Sequence, residues 1–98
     1  MMKFVAEFIG TFVFLSVILQ ATAKGSSFAP MAVLTIALGL FAAVALVAST
    51  SGGHLNPAVT FLMVLNKSLP MADALPYVGA QLLGAYAAFT FFNMTVAK

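Results

Sequence analysis

Three long apolar stretches, separated by short polar segments, dominate the sequence. They cover residues 4–23, 28–49 and 74–97. Each has about the 20 residues that an α-helix needs to cross a hydrocarbon core about 30 Å thick. The pattern therefore predicts three membrane-spanning helices with few polar side chains inside them.

A fourth apolar run, residues 58–65, is too short to span. Asn56 and Pro57 precede it, and these residue types are favoured at the N-cap and at the first position of a helix. Asn66 and the polar residues after it end the run. A helix of this length covers roughly 15 Å, about half of the hydrocarbon core.

Two glycines, Gly52 and Gly53, stand just before this short helix. Glycine permits backbone angles that other residues avoid, so we expect an irregular segment with carbonyls exposed along one side. Two interpretations follow for residues 51–66. Either the loop and half-helix re-enter the membrane with the helix N-terminus near the midplane, or a turn in water precedes a surface helix.

Composition changes the picture by setting the class of protein. Of the 98 residues, 63% are hydrophobic and 6% are charged, and the mean hydropathy is +1.14. These values indicate one polytopic membrane domain over residues 1–98, with the lipid bilayer as its surroundings. The net charge of +2 comes from four scattered lysines, so no nucleic-acid partner is expected.

The residues that carry chemistry are few. The chain has one histidine, His54, no cysteine, and two distant carboxylates, Glu7 and Asp73. A metal site needs several ligands, and covalent catalysis needs a nucleophile, a base and an orienting group. We therefore expect no metal, no cofactor and no enzyme activity.

Polar residues inside the predicted spans need partners. An acidic side chain at mid-helix costs about 2.5–3.5 kcal/mol on insertion scales, so Glu7 is either buried with a partner or close enough to the helix end to reach the interface. Gln81 also has two interpretations, a hydrogen bond within the bundle or a lipid-edge position paired with its own helix.

The ten residues from Ser51 to Thr60, SGGHLNPAVT, closely resemble the first signature loop of the aquaporin and aquaglyceroporin, or major intrinsic protein, family. Residues 6–11, AEFIGT, are similar to the family's first-helix motif. The resemblance implies an all-α membrane protein with three transmembrane helices and one re-entrant half-helix. It covers the whole chain but only the first half of the family pattern, because no second Asn-Pro-Ala is present.

The resemblance also implies roles for individual residues. Asn56 would donate its amide to a permeating molecule, and Glu7 would accept hydrogen bonds from backbone N–H groups around Gly53 and His54. Gln81 would hydrogen-bond within the bundle. Val59 stands where an arginine follows the family's second signature motif, and the family register places Ile36 at the second-helix filter position. The remaining signature residues expected at the pore are Gly52, Gly53, His54, Leu55, Pro57 and Ala58, the carbonyls of residues 52–55 lining the path.

By this resemblance, the function is passive conduction of water and possibly of small neutral solutes such as glycerol. An inverted second copy would complete the pore, within a higher homo-oligomer. Lys3 and Lys67 are expected on one face and Lys24 and Lys98 on the other, a tie that predicts insertion in both orientations. The alternatives are a non-conducting fragment or assembly subunit that needs a different half, and a small cation-coupled transporter using Glu7.

Overall fold

The protein is a bundle of four α-helices in the computed structural model, which describes residues 1–96. The helices are α1 (Met2–Thr22), α2 (Ala32–Ser51), α3 (Pro57–Leu65) and α4 (Ala74–Thr95). Short 3₁₀ turns, Ala29–Met31 and Met71–Asp73, precede α2 and α4. No strand occurs within these 96 residues. The predicted all-α class is confirmed.

Three helical segments are long and apolar enough to cross a membrane: Met2–Thr22, Ala29–Ser51 and Met71–Thr95. The second span ends at Ser51, beyond the predicted residue 49, because Gly52 terminates it. The φ of Gly52 is 89°, and its N–H donates to the Ala48 carbonyl at 2.9 Å, a left-handed helix end that glycine adopts without strain. The predicted end of the third span, residue 97, lies outside the described residues.

Helix α1 is the central element, because α2 and α4 both pack against it. Small residues allow these approaches. A Cβ atom added at Gly84 would lie 2.7 Å from the Phe8 carbonyl oxygen, and one at Gly39 would lie 2.6 Å from a methyl group of Val17. Both distances are too short for a real side chain, so the two glycines set how closely the flanking helices approach α1.

The short helix α3 packs mainly against α4 and ends near the surface that holds the start of α4. At this surface, Lys3 Nζ donates to Asp73 Oδ2 at 2.6 Å and ties the start of α1 to the start of α4. The outer surface is strongly apolar. Val33 is 86% exposed, Leu75 82% and Phe41 72%. Such a surface suits hydrocarbon or a protein partner rather than water.

Candidate functional site

The loop between α2 and α3, residues 52–56, is the irregular part of the signature stretch. Three of its residues have positive φ: Gly52 at 89°, Gly53 at 65° and Leu55 at 56°. Positive φ in a leucine is strained by about 1–3 kcal/mol, so its surroundings must hold it. The side chain of Leu55 does so, because it is buried beside Ala6, Ala43 and Val47.

Asn56 turns the chain into α3. Its backbone is extended, and its side-chain Oδ1 accepts a hydrogen bond from the Ala58 N–H at 2.8 Å, so it is the N-cap of the helix. Pro57 occupies the first helical position, where no N–H is needed. Because the cap uses Oδ1, the amide NH₂ group of Asn56 points away from the helix. The residue itself is exposed.

Glu7 anchors the loop from α1. Its side chain is fully buried, at 0% exposure, and its two carboxylate oxygens accept four hydrogen bonds. Oε2 accepts from the Ser51 hydroxyl at 2.7 Å and from the His54 N–H at 3.0 Å. Oε1 accepts from the Leu55 N–H at 2.9 Å and from the Gln81 amide at 2.9 Å. A buried carboxylate needs such donors in place of water.

The partners of Glu7 differ in one position from those expected. The N–H of Gly53 does not reach the carboxylate and instead donates to the Ser51 hydroxyl at 3.2 Å. The physical reason is the turn at Gly52 and Gly53, which directs the Gly53 N–H back toward the end of α2. The two N–H groups that meet Glu7 belong to His54 and Leu55.

Gln81 links this anchor to α3. Its Nε2 donates both to Glu7 Oε1 and to Thr60 Oγ1, each at 2.9 Å. Thr60 Oγ1 also lies 3.0 Å from Nδ1 of the His54 ring. With the bond from Ser51 at the end of α2, all four helices therefore meet in one polar network, in a bundle whose outer surface is apolar.

Tyr77 supports the same network from the first turn of α4. Its hydroxyl donates to the Ser51 carbonyl at 2.8 Å, and its ring lies 4.9 Å from the His54 ring, measured between centroids. Tyr77 is 2% exposed. The end of α2 and the face of the histidine are thus both fixed by α4.

The two filter candidates lie on separate elements. Val59 is half-buried in the first turn of α3, and Ile36 is half-buried in the first half of α2. Because α3 packs mainly against α4, the chain by itself does not build a constriction from these two side chains. Pro57 and Ala58 are exposed at the start of α3, beside Asn56.

Sequence reasoning assigned no role to Thr60 or Tyr77. Thr60 stands inside the signature stretch, and Tyr77 is four residues before Gln81 on α4. Residues four apart share a helix face, so this spacing was a usable signal for Tyr77. Within residues 1–96 no three His, Cys, Asp or Glu side chains form a group that could hold a metal.

Comparison with known proteins assigns this chain to a family. The Major intrinsic protein family model matches residues 1–98. Glycerol uptake facilitator protein-like 6 of Lactiplantibacillus plantarum is 44% identical over 92 residues, covering 90% of this chain and 41% of that protein. Aquaporin TIP2-2 of Zea mays is 39% identical over 92 residues, covering 84% of this chain and 37% of that protein.

A fungal relative matches a shorter part. Aquaporin Lacbi1:387054 of Laccaria bicolor is 47% identical over 55 residues, covering 56% of this chain and 18% of that protein. The chain thus spans about two fifths of the length of the bacterial and plant relatives above. The family model matches the whole of this chain, and three helices are apolar and long enough to span. The chain is therefore an integral, multi-pass membrane protein of the major intrinsic protein family.

Proposed function

We propose that the chain forms one half of a passive membrane channel for water and small neutral solutes such as glycerol, and that an inverted second copy supplies the other half. The observation that carries this proposal is the placement of Asn56. Its amide is exposed at the N-terminus of a half-length helix, and a buried network holds the loop that leads to it.

The loop offers a permeating molecule the two kinds of hydrogen bond that it loses on leaving water. Asn56 can donate from its outward NH₂ group, and the irregular backbone at Gly52 and Gly53 can present carbonyl oxygens as acceptors. Polar groups that line a narrow apolar path in this way favour neutral, hydrogen-bonding solutes. The names of the relatives, a glycerol uptake facilitator and aquaporins, agree with this class of solute.

The depth of Asn56 supports a pore made of two halves. Gln81 lies seven residues after the start of α4 at Ala74, about 10 Å along the helix axis. Thr60 contacts Gln81, and Asn56 lies one turn of α3 further in, which adds about 5 Å. The N-terminus of α3 is therefore about 15 Å deep, close to the middle of a hydrocarbon core about 30 Å thick.

An inverted copy would fill the half of the bilayer that α3 does not cross. A two-fold axis in the membrane plane, passing beside Asn56, would place a second half-helix end to end with the first and cover the other half of the bilayer. The lysines favour such dual insertion. Lys3 and Lys67 lie on the face where α1 begins and α3 ends, and Lys24 lies in the connection at the other face. Lys98 lies outside the described residues, so its place on that second face stays a prediction.

The structure argues against the cation-coupled transporter. Such a protein needs a carboxylate that can reach its substrate, and the described residues offer Glu7 within α1 and Asp73 at the start of the third span, where Asp73 is paired with Lys3. Glu7 has no exposed surface and already accepts four hydrogen bonds, so it is poorly placed to bind and release a cation. Membership in a channel family also argues against enzyme activity.

The constriction of the paired channel would be apolar. Val59 and Ile36 would line it in each copy, without the arginine that the resembling family places after its second signature motif. Cations would still meet two half-helix N-termini, each equivalent to about +0.5 charge. At about 4 Å and an effective dielectric constant of about 20, each opposes a cation by about 2 kcal/mol. We therefore expect ion exclusion with modest discrimination between water and small polyols.

Cross-linking tests the pairing. The chain has no cysteine, so a single introduced cysteine gives an unambiguous result. Ala58→Cys would place a thiol about 3 Å along α3 from Asn56, close enough to the proposed axis for two copies to reach the Cα separation of about 4.4–6.8 Å that a disulfide requires. In the control Leu65→Cys, the thiol lies about 10 Å further along α3, so the thiols of two inverted copies would be about 20 Å or more apart.

Disulfide dimers in native membranes for Ala58→Cys, and none for Leu65→Cys, would support the inverted pair. Dimers of both variants would indicate parallel copies. Monomers of both, in membranes where the chain is folded, would refute the second copy and leave a different partner half. Conduction itself is tested separately, by the osmotic response of proteoliposomes.

A further inference from the structure

We propose that Gln81 and Thr60 lock His54 as the neutral tautomer with its proton on Nε2, so that its side chain offers the solute path a hydrogen-bond donor and no acceptor. The presence of a solute path at His54 rests on the proposed function. The tautomer itself follows from the hydrogen bonds of the described residues.

The first step is the orientation of the Gln81 amide. Glu7 Oε1 accepts from the Leu55 N–H and is also 2.9 Å from one end of the Gln81 amide. The carboxylate oxygen Oε1 acts as an acceptor, as it does toward the Leu55 N–H, so the group of Gln81 that faces it is the NH₂. The Gln81 carbonyl oxygen points elsewhere, and it has no hydrogen-bond partner within residues 1–96.

In a second step, the orientation of the Gln81 amide also determines one hydrogen bond of Thr60. The NH₂ group of Gln81 has two hydrogens, and the second is directed at Thr60 Oγ1, at 2.9 Å. The threonine hydroxyl therefore accepts from Gln81. Its own single hydrogen remains available, and the nearest partner is Nδ1 of His54 at 3.0 Å.

The third step fixes the imidazole. If the Thr60 hydroxyl donates to Nδ1, that nitrogen must hold a lone pair, and the proton of the neutral ring is on Nε2. Tyr77 holds the ring face at a centroid distance of 4.9 Å, so the ring does not turn freely to exchange its two nitrogens. The reverse direction, with Nδ1–H donating to Thr60, would leave the hydrogen of this buried hydroxyl without an acceptor among residues 1–96, which is unfavourable.

The Nε2 edge of the ring is the side that Thr60 leaves without a partner in the described part of the chain. Nε2 has no hydrogen-bond partner among residues 1–96, and it is not one of the buried polar atoms that lack a partner there, so part of its surface is accessible. Gly52 keeps this edge clear, because a Cβ atom at that position would lie 3.3 Å from Nε2. With Nδ1 closed by Thr60, the ring presents only an N–H to the path.

This arrangement has a consequence for protons. An imidazole relays a proton by accepting one at a free lone pair while releasing another from its second nitrogen. The only free lone pair of the His54 ring faces the Thr60 hydroxyl, and the next group in the series of hydrogen bonds is the Gln81 amide, which is not an acid–base group. His54 is therefore a fixed hydrogen-bond donor within the loop and not a proton relay.

Nitrogen-15 spectroscopy tests the proposal, and the single histidine makes the spectrum free of overlap. The full chain, labelled with ¹⁵N-histidine and reconstituted in lipid bilayers, should give one protonated nitrogen assigned to Nε2 and one unprotonated nitrogen assigned to Nδ1. In Thr60→Val, which removes the hydroxyl, the single tautomer should become a mixture. In the matched control Thr60→Ser, which keeps the hydroxyl, it should persist.

A wild-type spectrum with the proton on Nδ1 would overturn the proposal, because Thr60 Oγ1 would then accept from both Gln81 and His54 instead of donating to the ring. A wild-type mixture of both tautomers would overturn it too. So would a Thr60→Val spectrum identical to the wild type. The wild-type measurement stands even if Thr60→Val does not fold. It needs no transport, so failure of the tautomer and failure of the channel are separate results.

Discussion

Replacement of Glu7 tests how the loop is held in the membrane. In Glu7→Leu the side chain stays close in size but can accept no hydrogen bond. The Ser51 hydroxyl keeps a second acceptor, the Val47 carbonyl at 3.4 Å, and Gln81 keeps Thr60. The N–H groups of His54 and Leu55 have Glu7 as their sole acceptor among residues 1–96.

The cost follows from these two amides. A buried N–H left without an acceptor costs about 1–3 kcal/mol, so Glu7→Leu should lower the free energy of unfolding by about 2–6 kcal/mol. The Leu55 amide is buried and the His54 amide partly so, which places the expected value toward the lower half of this range. Removing the charge also removes its desolvation cost, which offsets part of the loss.

Thermal unfolding in detergent micelles measures the effect. For a chain of about 100 residues, 1 kcal/mol corresponds to about 4–8 °C, so Glu7→Leu should lower the melting temperature by about 8 °C or more. Glu7→Gln keeps one acceptor oxygen, so its melting temperature should lie between those of the wild type and Glu7→Leu. The control is Gln20→Leu, which removes an uncharged polar side chain from the same helix outside this network. If Glu7→Leu melts with the wild type, the anchoring role of Glu7 is wrong.

Further predictions concern the neighbours of Glu7 and the pore. Tyr77→Phe keeps the ring but loses the bond to the Ser51 carbonyl, so stability should fall by about 0.5–1.5 kcal/mol in the same melting assay. Asn56→Asp keeps a good N-cap but loses the outward donors, so helicity by circular dichroism should persist while water flux falls; unchanged flux would remove Asn56 from the path. Val59→Arg should lower glycerol flux relative to water flux, and an unchanged ratio in a variant that still assembles would show that Val59 does not line the constriction. A terminal reporter should read out on both sides of the membrane, and a signal on one side only would argue for a different partner half.

The fold was accessible from the sequence because the bilayer imposes strict rules. A spanning helix must satisfy its own backbone, and its length must match the hydrocarbon core. Those rules located the three spans, and Asn56 with Pro57 marked the start of α3. Helix ends were less predictable. Hydropathy cannot decide whether a polar residue such as Ser51 closes a helix or opens a loop, since that depends on the backbone angle of Gly52.

The partners inside the site were harder to predict. Sequence alone indicates that a buried Glu7 needs donors, but it does not fix which of several neighbouring N–H groups will point at the carboxylate. That choice is made by the three positive φ angles between Gly52 and Leu55. The role of Thr60 was likewise hidden, because it depends on α3 and α4 bringing a hydroxyl, an amide and an imidazole together.

The proposed pairing of two copies cannot be predicted from the sequence of one chain. Ile36 and Val59 sit on elements that do not pack closely against each other here, so the shape of a constriction depends on what fills the space beside α3. The same holds for the exposed apolar side chains of α2, such as Val33 and Phe41. Capping rules account for the position of Asn56, the proposed donor, whereas only the assembly would determine the width of the proposed path beside it.

Osmotic water permeability of proteoliposomes tests the central claim most directly. The 98-residue chain, reconstituted at a defined protein-to-lipid ratio and with its oligomeric state verified by cross-linking, is exposed to a hyperosmotic step in a stopped-flow instrument. Proteoliposomes of the wild type should shrink faster than empty liposomes, and those of Asn56→Asp should shrink at close to the empty rate. A verified oligomer that shrinks no faster than empty liposomes would contradict the channel.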